Sequence, residues 1–92
     1  MVKYQVRETK AYKTAFKKLS KADKELTNKI ILRLANDEVL EPVYKDHALQ
    51  GKFKGYRDCH VKNDLVLIYE KDKNILTLTC INIANHSNSF KK

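Results

Sequence analysis

The side chains best suited to proton transfer are grouped in one short segment, DHALQGKFKGYRDCH at residues 46–60. The chain has only three histidines, and two of them stand here beside aspartates. An imidazole changes charge near neutral pH, and a nearby carboxylate fixes its tautomer and favours its protonated form. The segment therefore predicts general acid–base chemistry, carried by Asp46, His47, Asp58 and His60.

Residues 56–62, YRDCHVK, have the composition of a strand. Side chains two apart on a strand share a face. One face would therefore carry Tyr56, Asp58, His60 and Lys62, and the other Arg57, Cys59 and Val61. The first face is either a titratable site or an ordinary solvated face of an antiparallel sheet.

Two lysines follow His47 in the loop KFKG, on alternate positions beside glycine. Ammonium groups and exposed amides in such a loop bind phosphate, although exposed lysines also serve only for solubility. His86 follows the last predicted strand, so that all three histidines stand at loop or strand-end positions in the second half. We expect Lys52 and Lys54 to contact a phosphate backbone.

Two histidines and a carboxylate in a basic cleft suit RNA cleavage. The reaction needs a base for the 2′-hydroxyl, a cation for the charge that develops on the phosphate, and an acid for the leaving 5′-oxygen. The histidines show no metal-ligand spacing such as HxxxH or HExxH. We therefore expect no metal and no cofactor.

Composition indicates one domain, residues 1–92, with 42% hydrophobic and 33% charged residues. No apolar run is long enough for a membrane span and no signal peptide is evident, which predicts a cytoplasmic protein. The net charge of +8 predicts an anionic partner such as nucleic acid or an acidic protein, unless it is only solvated surface charge. The lysine-rich helices carry too little bulky apolar surface for membrane binding. Cys59 and Cys80 are expected to be reduced core residues.

Hydrophobic periodicity predicts an α+β fold, in which a helical hairpin covers one face of a mainly antiparallel sheet. Ser20, followed three residues later by Asp23, predicts the start of the second helix. That helix would bury Leu26, Ile30, Ile31 and Leu34. The predicted order is a strand at 2–8, helices at 10–19 and 21–36, then three to four strands, including 56–62, 65–71 and 75–83.

The run VYKDHALQGKFKGYRDCHVKNDLVLIY, residues 43–69, closely resembles the signature of YafQ-like toxins in the RelE/ParE superfamily, where DHxLxG leads into GYRDxH. The resemblance implies a RelE-like fold and a toxin of a type II toxin–antitoxin pair. Such a toxin enters the ribosomal A site and cuts mRNA without a metal. It also implies a cognate antitoxin, whose complex with the toxin binds operator DNA.

By the same resemblance, four residues match positions implicated in catalysis, namely His47, His60, Asp64 and His86. The sequence departs from the family where Asn82 replaces an Arg four residues before the last His, where Leu65 replaces a Trp and where Ala84 replaces a turn glycine. Lys52, Lys54 or Arg57 would then supply the missing charge, with Arg57 facing away from His60. The other positions expected to contact RNA are Asp58 and Phe90.

Three other functions compete with the endonuclease. A degenerate toxin that only binds an antitoxin and operator DNA is favoured by the loss of the Arg at Asn82. A gyrase-poisoning relative is disfavoured because such relatives generally lack this histidine set. A helix-turn-helix DNA reader is disfavoured because the informative residues lie in the predicted sheet and not in the helices.

Overall fold

The computed structural model describes residues 3–85, in which two helices cover one face of a five-stranded sheet. Short 3₁₀ turns lie at Pro42–Tyr44 and Gly51–Phe53. Neither helix in this range is long and apolar enough to cross a membrane. In chain order the elements are β1 (Gln5–Glu8), α1 (Lys10–Lys17), α2 (Lys21–Ala35), β2 (His47–Ala48), β3 (Arg57–Lys62), β4 (Leu65–Asp72) and β5 (Thr77–Asn85).

The strands are ordered β1-β5-β4-β3-β2 across the sheet. β1 runs parallel to β5, and the other neighbouring pairs are antiparallel. This arrangement confirms the α+β prediction. The sheet has five strands, of which four follow the helices, because the chain after α2 adds the two-residue strand β2 at one edge and β1 occupies the other edge.

Side-chain caps start both helices. The Ser20 hydroxyl accepts a hydrogen bond from the Asp23 amide at 3.1 Å, which confirms the predicted start of α2. Thr9 caps α1 through the Tyr12 amide at 3.0 Å, and its own hydroxyl donates to the Ile81 carbonyl of β5 at 2.7 Å. α1 ends at Lys17 and not at the predicted residue 19. The chain leaves the helical conformation before residue 20, because Ser20, the N-cap of α2, has extended backbone angles.

The core lies between the helices and the sheet. Leu26 was expected there but is 40% exposed, so that prediction was wrong; Ile30, Ile31 and Leu34 are buried as expected. The two cysteines are free and fully buried, as predicted, and burial raises the pKa of Cys80 to about 12. The largest core side chains are Tyr4, Tyr12, Tyr69, Leu34, Leu65, Leu67, Leu78 and Ile83.

Three predicted strand boundaries were wrong by two or three residues, among them the end of β5, which lies at Asn85 and not at residue 83. β5 begins at Thr77 and not at residue 75, because the Asp72 carboxylate accepts hydrogen bonds from the Asn74 and Ile75 amides and holds a four-residue turn. β1 begins at Gln5 and not at residue 2. The two amides before it, of residues 3 and 4, donate to the Ala35 carbonyl at the end of α2.

Candidate active site

The polar face of β3 lies on the side of the sheet away from the helices. Cys59 and Val61 point into the core, and Asp58 and His60 share the other face. Of the two alternatives left open for this face, a fully solvated surface does not hold, because Asp58 is only 2% exposed. A buried carboxylate needs a partner to compensate for its lost hydration.

Lys62 does not share the face of His60. The pairing of β3 with β4 shifts register between His60 and Lys62, which lets the lysine side chain turn to the helix side. Its ammonium group lies 2.9 Å from the Asp23 carboxylate of α2. Lys62 therefore ties the sheet to a helix, and its predicted place beside His60 was wrong.

His47 lies on β2, directly opposite Asp58 of β3. Its Nδ1 is 2.7 Å from the Lys45 carbonyl oxygen and 3.2 Å from Asp58 Oδ1. Because a carbonyl only accepts hydrogen bonds, Nδ1 carries the hydrogen. This contact leaves Nε2 as the nitrogen that takes or gives a proton, on a side chain that is 57% exposed.

His60 is half-buried and lies two residues along β3 from Asp58, so their Cα atoms are about 7 Å apart on one face. Its Nδ1 is 3.3 Å from the Asn63 carbonyl oxygen in the turn before β4. The same reasoning assigns the Nδ1 hydrogen to this ring and orients Nε2 away from the turn. Asp64 is exposed in that turn.

The neighbouring strands continue this face. Asp58 is paired with Ile68 of β4, and Ile68 with Asn82 of β5, which places Asn82 in the same cross-strand row as His47 and Asp58. The Asn82 side-chain oxygen accepts a hydrogen bond from the next backbone amide at 2.9 Å. Asn82 also borders an open cleft of about 760 Å³ between α1 and β5. This row therefore has a neutral amide at the position where the family resemblance predicts a cation.

The loop between β2 and β3 carries the two lysines expected to bind phosphate. Lys52 and Lys54 are both exposed, and the Lys52 ammonium lies 5.7 Å from the centre of the Phe53 ring. Gly51 and Gly55 have φ angles of 68° and 99°, values that suit glycine and allow the tight turns of this loop. The loop lines a cleft of about 490 Å³ next to β2.

Arg57 faces the helix side of the sheet and not His60, as its alternation on β3 predicted. Its Nε donates to Asp46 Oδ1 at 3.4 Å and to the Tyr69 hydroxyl oxygen at 3.3 Å. The Tyr69 hydroxyl donates to the same Asp46 oxygen at 2.5 Å. Tyr69 was missed from the sequence, and the only signal for it was its apolar neighbours on a buried strand.

His86 and Phe90, the remaining predicted site residues, lie outside the residues that the structure describes. Within residues 3–85, no three His, Cys, Asp or Glu side chains are grouped so that they could hold a metal ion. The described part of the site is therefore a pair of histidines, each with Nδ1 on a backbone carbonyl, around the buried carboxylate of Asp58.

The helical layer and the five-stranded sheet form the fold of a RelE-like toxin. The sequence matches the family described as bacterial toxin of type II toxin-antitoxin system, YafQ, over residues 4–91. The chain therefore belongs to the YafQ toxin family.

Relatives and solved structures agree with this assignment. The mRNA interferase toxin YafQ of Escherichia coli strain K12 is 51% identical over 45 residues, which are 49% of this chain and 49% of the relative. The match thus spans about half the length of that curated relative. A metal-bound toxin from Helicobacter pylori aligns with a TM-score of 0.84 at 36% identity, over 98% of this chain and 100% of that one. A chain of the E. coli DinJ–YafQ toxin–antitoxin complex aligns with a TM-score of 0.82 at 31% identity, over 98% of this chain and 100% of that one.

Proposed function

We propose that this toxin is a ribosome-dependent mRNA endonuclease that inhibits translation. The observation that carries the proposal is the His47 imidazole, whose Nδ1 contacts both the Lys45 carbonyl and the Asp58 carboxylate, with His60 on the same face of the sheet. Two imidazoles with oriented Nε2 atoms supply what RNA cleavage needs, one base and one acid.

The proposed reaction is an attack by the RNA on its own phosphate. One imidazole takes the proton of the 2′-hydroxyl, the 2′-oxygen bonds to phosphorus, and the other imidazole protonates the departing 5′-oxygen. The products are a 2′,3′-cyclic phosphate and a 5′-hydroxyl. Each proton-transfer group is worth about 10²- to 10⁴-fold in rate. Asp64 is proposed as a base or orienting group, and His86 as an acid or phosphate ligand.

The RNA backbone would lie along the loop that follows β2. Lys52 and Lys54 are exposed there, beside backbone that glycines keep open. Ammonium groups at these positions would hold phosphates on either side of the cleaved bond. Phe90 is proposed to contact RNA by resemblance to the family's terminal aromatic residue.

Two partners besides mRNA follow from the proposal. The ribosome would present the mRNA, which places the toxin in the cytoplasm. A cognate antitoxin would cover the surface that gives the chain its net charge of +8, and the joint complex would bind operator DNA. The similarity to a chain of the DinJ–YafQ complex supports an antitoxin partner.

A non-catalytic toxin that keeps only antitoxin and operator binding is the second candidate. Asn82 favours it, because its side-chain oxygen accepts a hydrogen bond from the Ile83 backbone amide and the neutral side chain offers no charge to a phosphate. Under this alternative the histidines would be dispensable for every retained function.

The ends of the RNA products distinguish the two candidates. Purified toxin would be added to ribosomes programmed with a defined mRNA, and the fragment ends would be analysed by enzymatic labelling. We expect 5′-hydroxyl and cyclic phosphate ends. Antitoxin binding without any RNA fragments would support the binding module instead.

A further inference from the structure

Asp46 precedes His47 directly, and the two side chains point to opposite faces of the sheet. His47 faces Asp58 on one side, and Asp46 faces Arg57 and Tyr69 on the helix side. Successive residues of an extended chain alternate in this way. Whatever holds the Asp46 side chain therefore also fixes the backbone that carries the imidazole.

The Asp46 carboxylate is held firmly. Its Oδ1 accepts the Tyr69 hydroxyl at 2.5 Å and Arg57 Nε at 3.4 Å, and the Arg57 Nε is also 3.3 Å from the Tyr69 oxygen. Hydrogen bonds to an ionised acceptor are short and strong, above all when water is excluded. The Tyr69 residue is 1% exposed and the Asp46 side chain 18%. Burial, together with the bond to Asp46, raises the pKa of Tyr69, so its hydroxyl remains a donor.

The backbone around His47 has little other support. β2 contains only two residues, both exposed, and forms one edge of the sheet. Lys45 before it has a φ of 50°, a left-handed conformation that is strained for a side chain other than glycine. The Lys45 carbonyl is also the acceptor for His47 Nδ1. A small rotation at residues 45–46 would move this carbonyl away from the ring.

We propose that Asp46, Tyr69 and Arg57 are positioning residues for His47, acting from the opposite face of the sheet. The inference rests on the proposed function, in which His47 moves a proton. Arg57, which was predicted from the sequence to contact RNA, is then a residue that orients Asp46. The cluster holds the backbone of residues 45–47 so that the Lys45 carbonyl and Asp58 keep the hydrogen on Nδ1 and leave Nε2 to the RNA.

Removing one hydroxyl tests this inference, and the chain supplies a matched control. Tyr69→Phe deletes the donor to Asp46, whereas Tyr12→Phe deletes an equally buried hydroxyl that has no hydrogen-bond partner among residues 3–85. ¹⁵N NMR of the imidazoles reports the His47 tautomer without any reaction. Single-turnover cleavage on programmed ribosomes reports the maximal rate and the half-saturating toxin concentration separately.

We expect Tyr69→Phe to convert the single Nδ1–H form of His47 into a mixture of tautomers. We also expect the maximal rate to fall about tenfold or more, with little change in the half-saturating concentration. Tyr12→Phe should change neither. Asp46→Asn keeps an acceptor for the Tyr69 hydroxyl and should retain more of the rate than Asp46→Ala.

The two readouts separate this inference from the proposed function. If the wild type cuts no RNA but Tyr69→Phe still alters the His47 tautomer, the positioning role stands and the endonuclease proposal fails. If a folded Tyr69→Phe variant shows the wild-type His47 spectrum and the wild-type rate, the positioning role is overturned. Should Tyr69→Phe not fold, the comparison of Asp46→Asn with Asp46→Ala decides, and equal tautomers and equal rates in the two would overturn it.

Discussion

The contact between His47 Nδ1 and the Asp58 carboxylate can be changed by replacing one functional group. Asp58→Asn removes the negative charge and keeps the size of a side chain that is 3% exposed, so the surrounding sheet should remain intact. Its Oδ1 lies 3.2 Å from His47 Nδ1. When His47 acts as the base of the proposed mechanism, the proton transfer forms an imidazolium, and the carboxylate stabilises it.

Coulomb's law sets the size of the effect. Two unit charges at the observed 3.2 Å attract by about 5 kcal/mol at an effective dielectric constant of 20, and by about 1.3 kcal/mol in bulk water. Because the His47 side chain is 57% exposed, solvent screens the pair, and the lower part of this range applies. A loss of about 1 to 2 kcal/mol corresponds to a rate that is roughly 5 to 30 times slower.

The assay is single-turnover cleavage on programmed ribosomes, with the thermal unfolding of each variant measured alongside. Glu70→Gln is the matched control, because it also turns a carboxylate into an amide but does so at an exposed position on β4. It should leave the rate unchanged. A folded Asp58→Asn protein that cuts at the wild-type rate, or an equal loss in Glu70→Gln, would refute the role of the Asp58 carboxylate.

Three further predictions concern Asn82, Asp37 and Ser20. Asn82→Arg should raise the cleavage rate at least tenfold in the same assay, since a positioned cation or donor contributes up to about 10²- to 10³-fold. The side chain at this position lies in the same cross-strand row as Asp58. An unchanged cleavage rate would contradict this prediction. Hydrogen bonds from Lys71 and Lys3 lower the pKa of Asp37 from 3.8 to about 2, so its ionised form stabilises the fold above pH 4 and that contribution disappears as the pH falls towards 2. The drop in melting temperature caused by Asp37→Asn should therefore shrink over that range, and a constant drop would contradict it. Ser20→Ala removes the N-cap of α2 and should lower the free energy of unfolding, measured by denaturant titration, by about 0.5 to 2 kcal/mol. An unchanged free energy of unfolding would contradict this prediction.

The helices were predictable because their signals are local. The hydroxyl of Ser20 and the amide of Asp23 are three residues apart, so the start of α2 could be read from the sequence. Strand boundaries depend on partners that are distant in sequence. Ile75 is apolar and β-branched, as is typical of strand residues. Its amide nevertheless donates a hydrogen bond to the Asp72 carboxylate in the preceding turn, and β5 begins only at Thr77.

The site was predictable in part. Alternation along residues 56–62 correctly placed Asp58 and His60 on one face and Arg57 on the other. The contact of Asp58 with His47 could not be predicted, because it requires the pairing of β3 with the two-residue strand β2. The Tyr69 contact with Asp46 joins residues 23 apart and requires the pairing of β3 with β4 to be known. The backbone carbonyl that orients His47 depends on the conformation of Lys45, which its residue type does not favour.

Primer extension on a defined mRNA tests the central claim most directly. Wild-type toxin, His47→Ala and His60→Ala would each be added to translating ribosomes and to free RNA. The proposal predicts cleavage by the wild type on ribosomes alone, with strong loss in both folded variants. An intact mRNA with a wild-type protein that still binds its antitoxin tightly, or full cleavage by either variant, would contradict the histidine-based endonuclease.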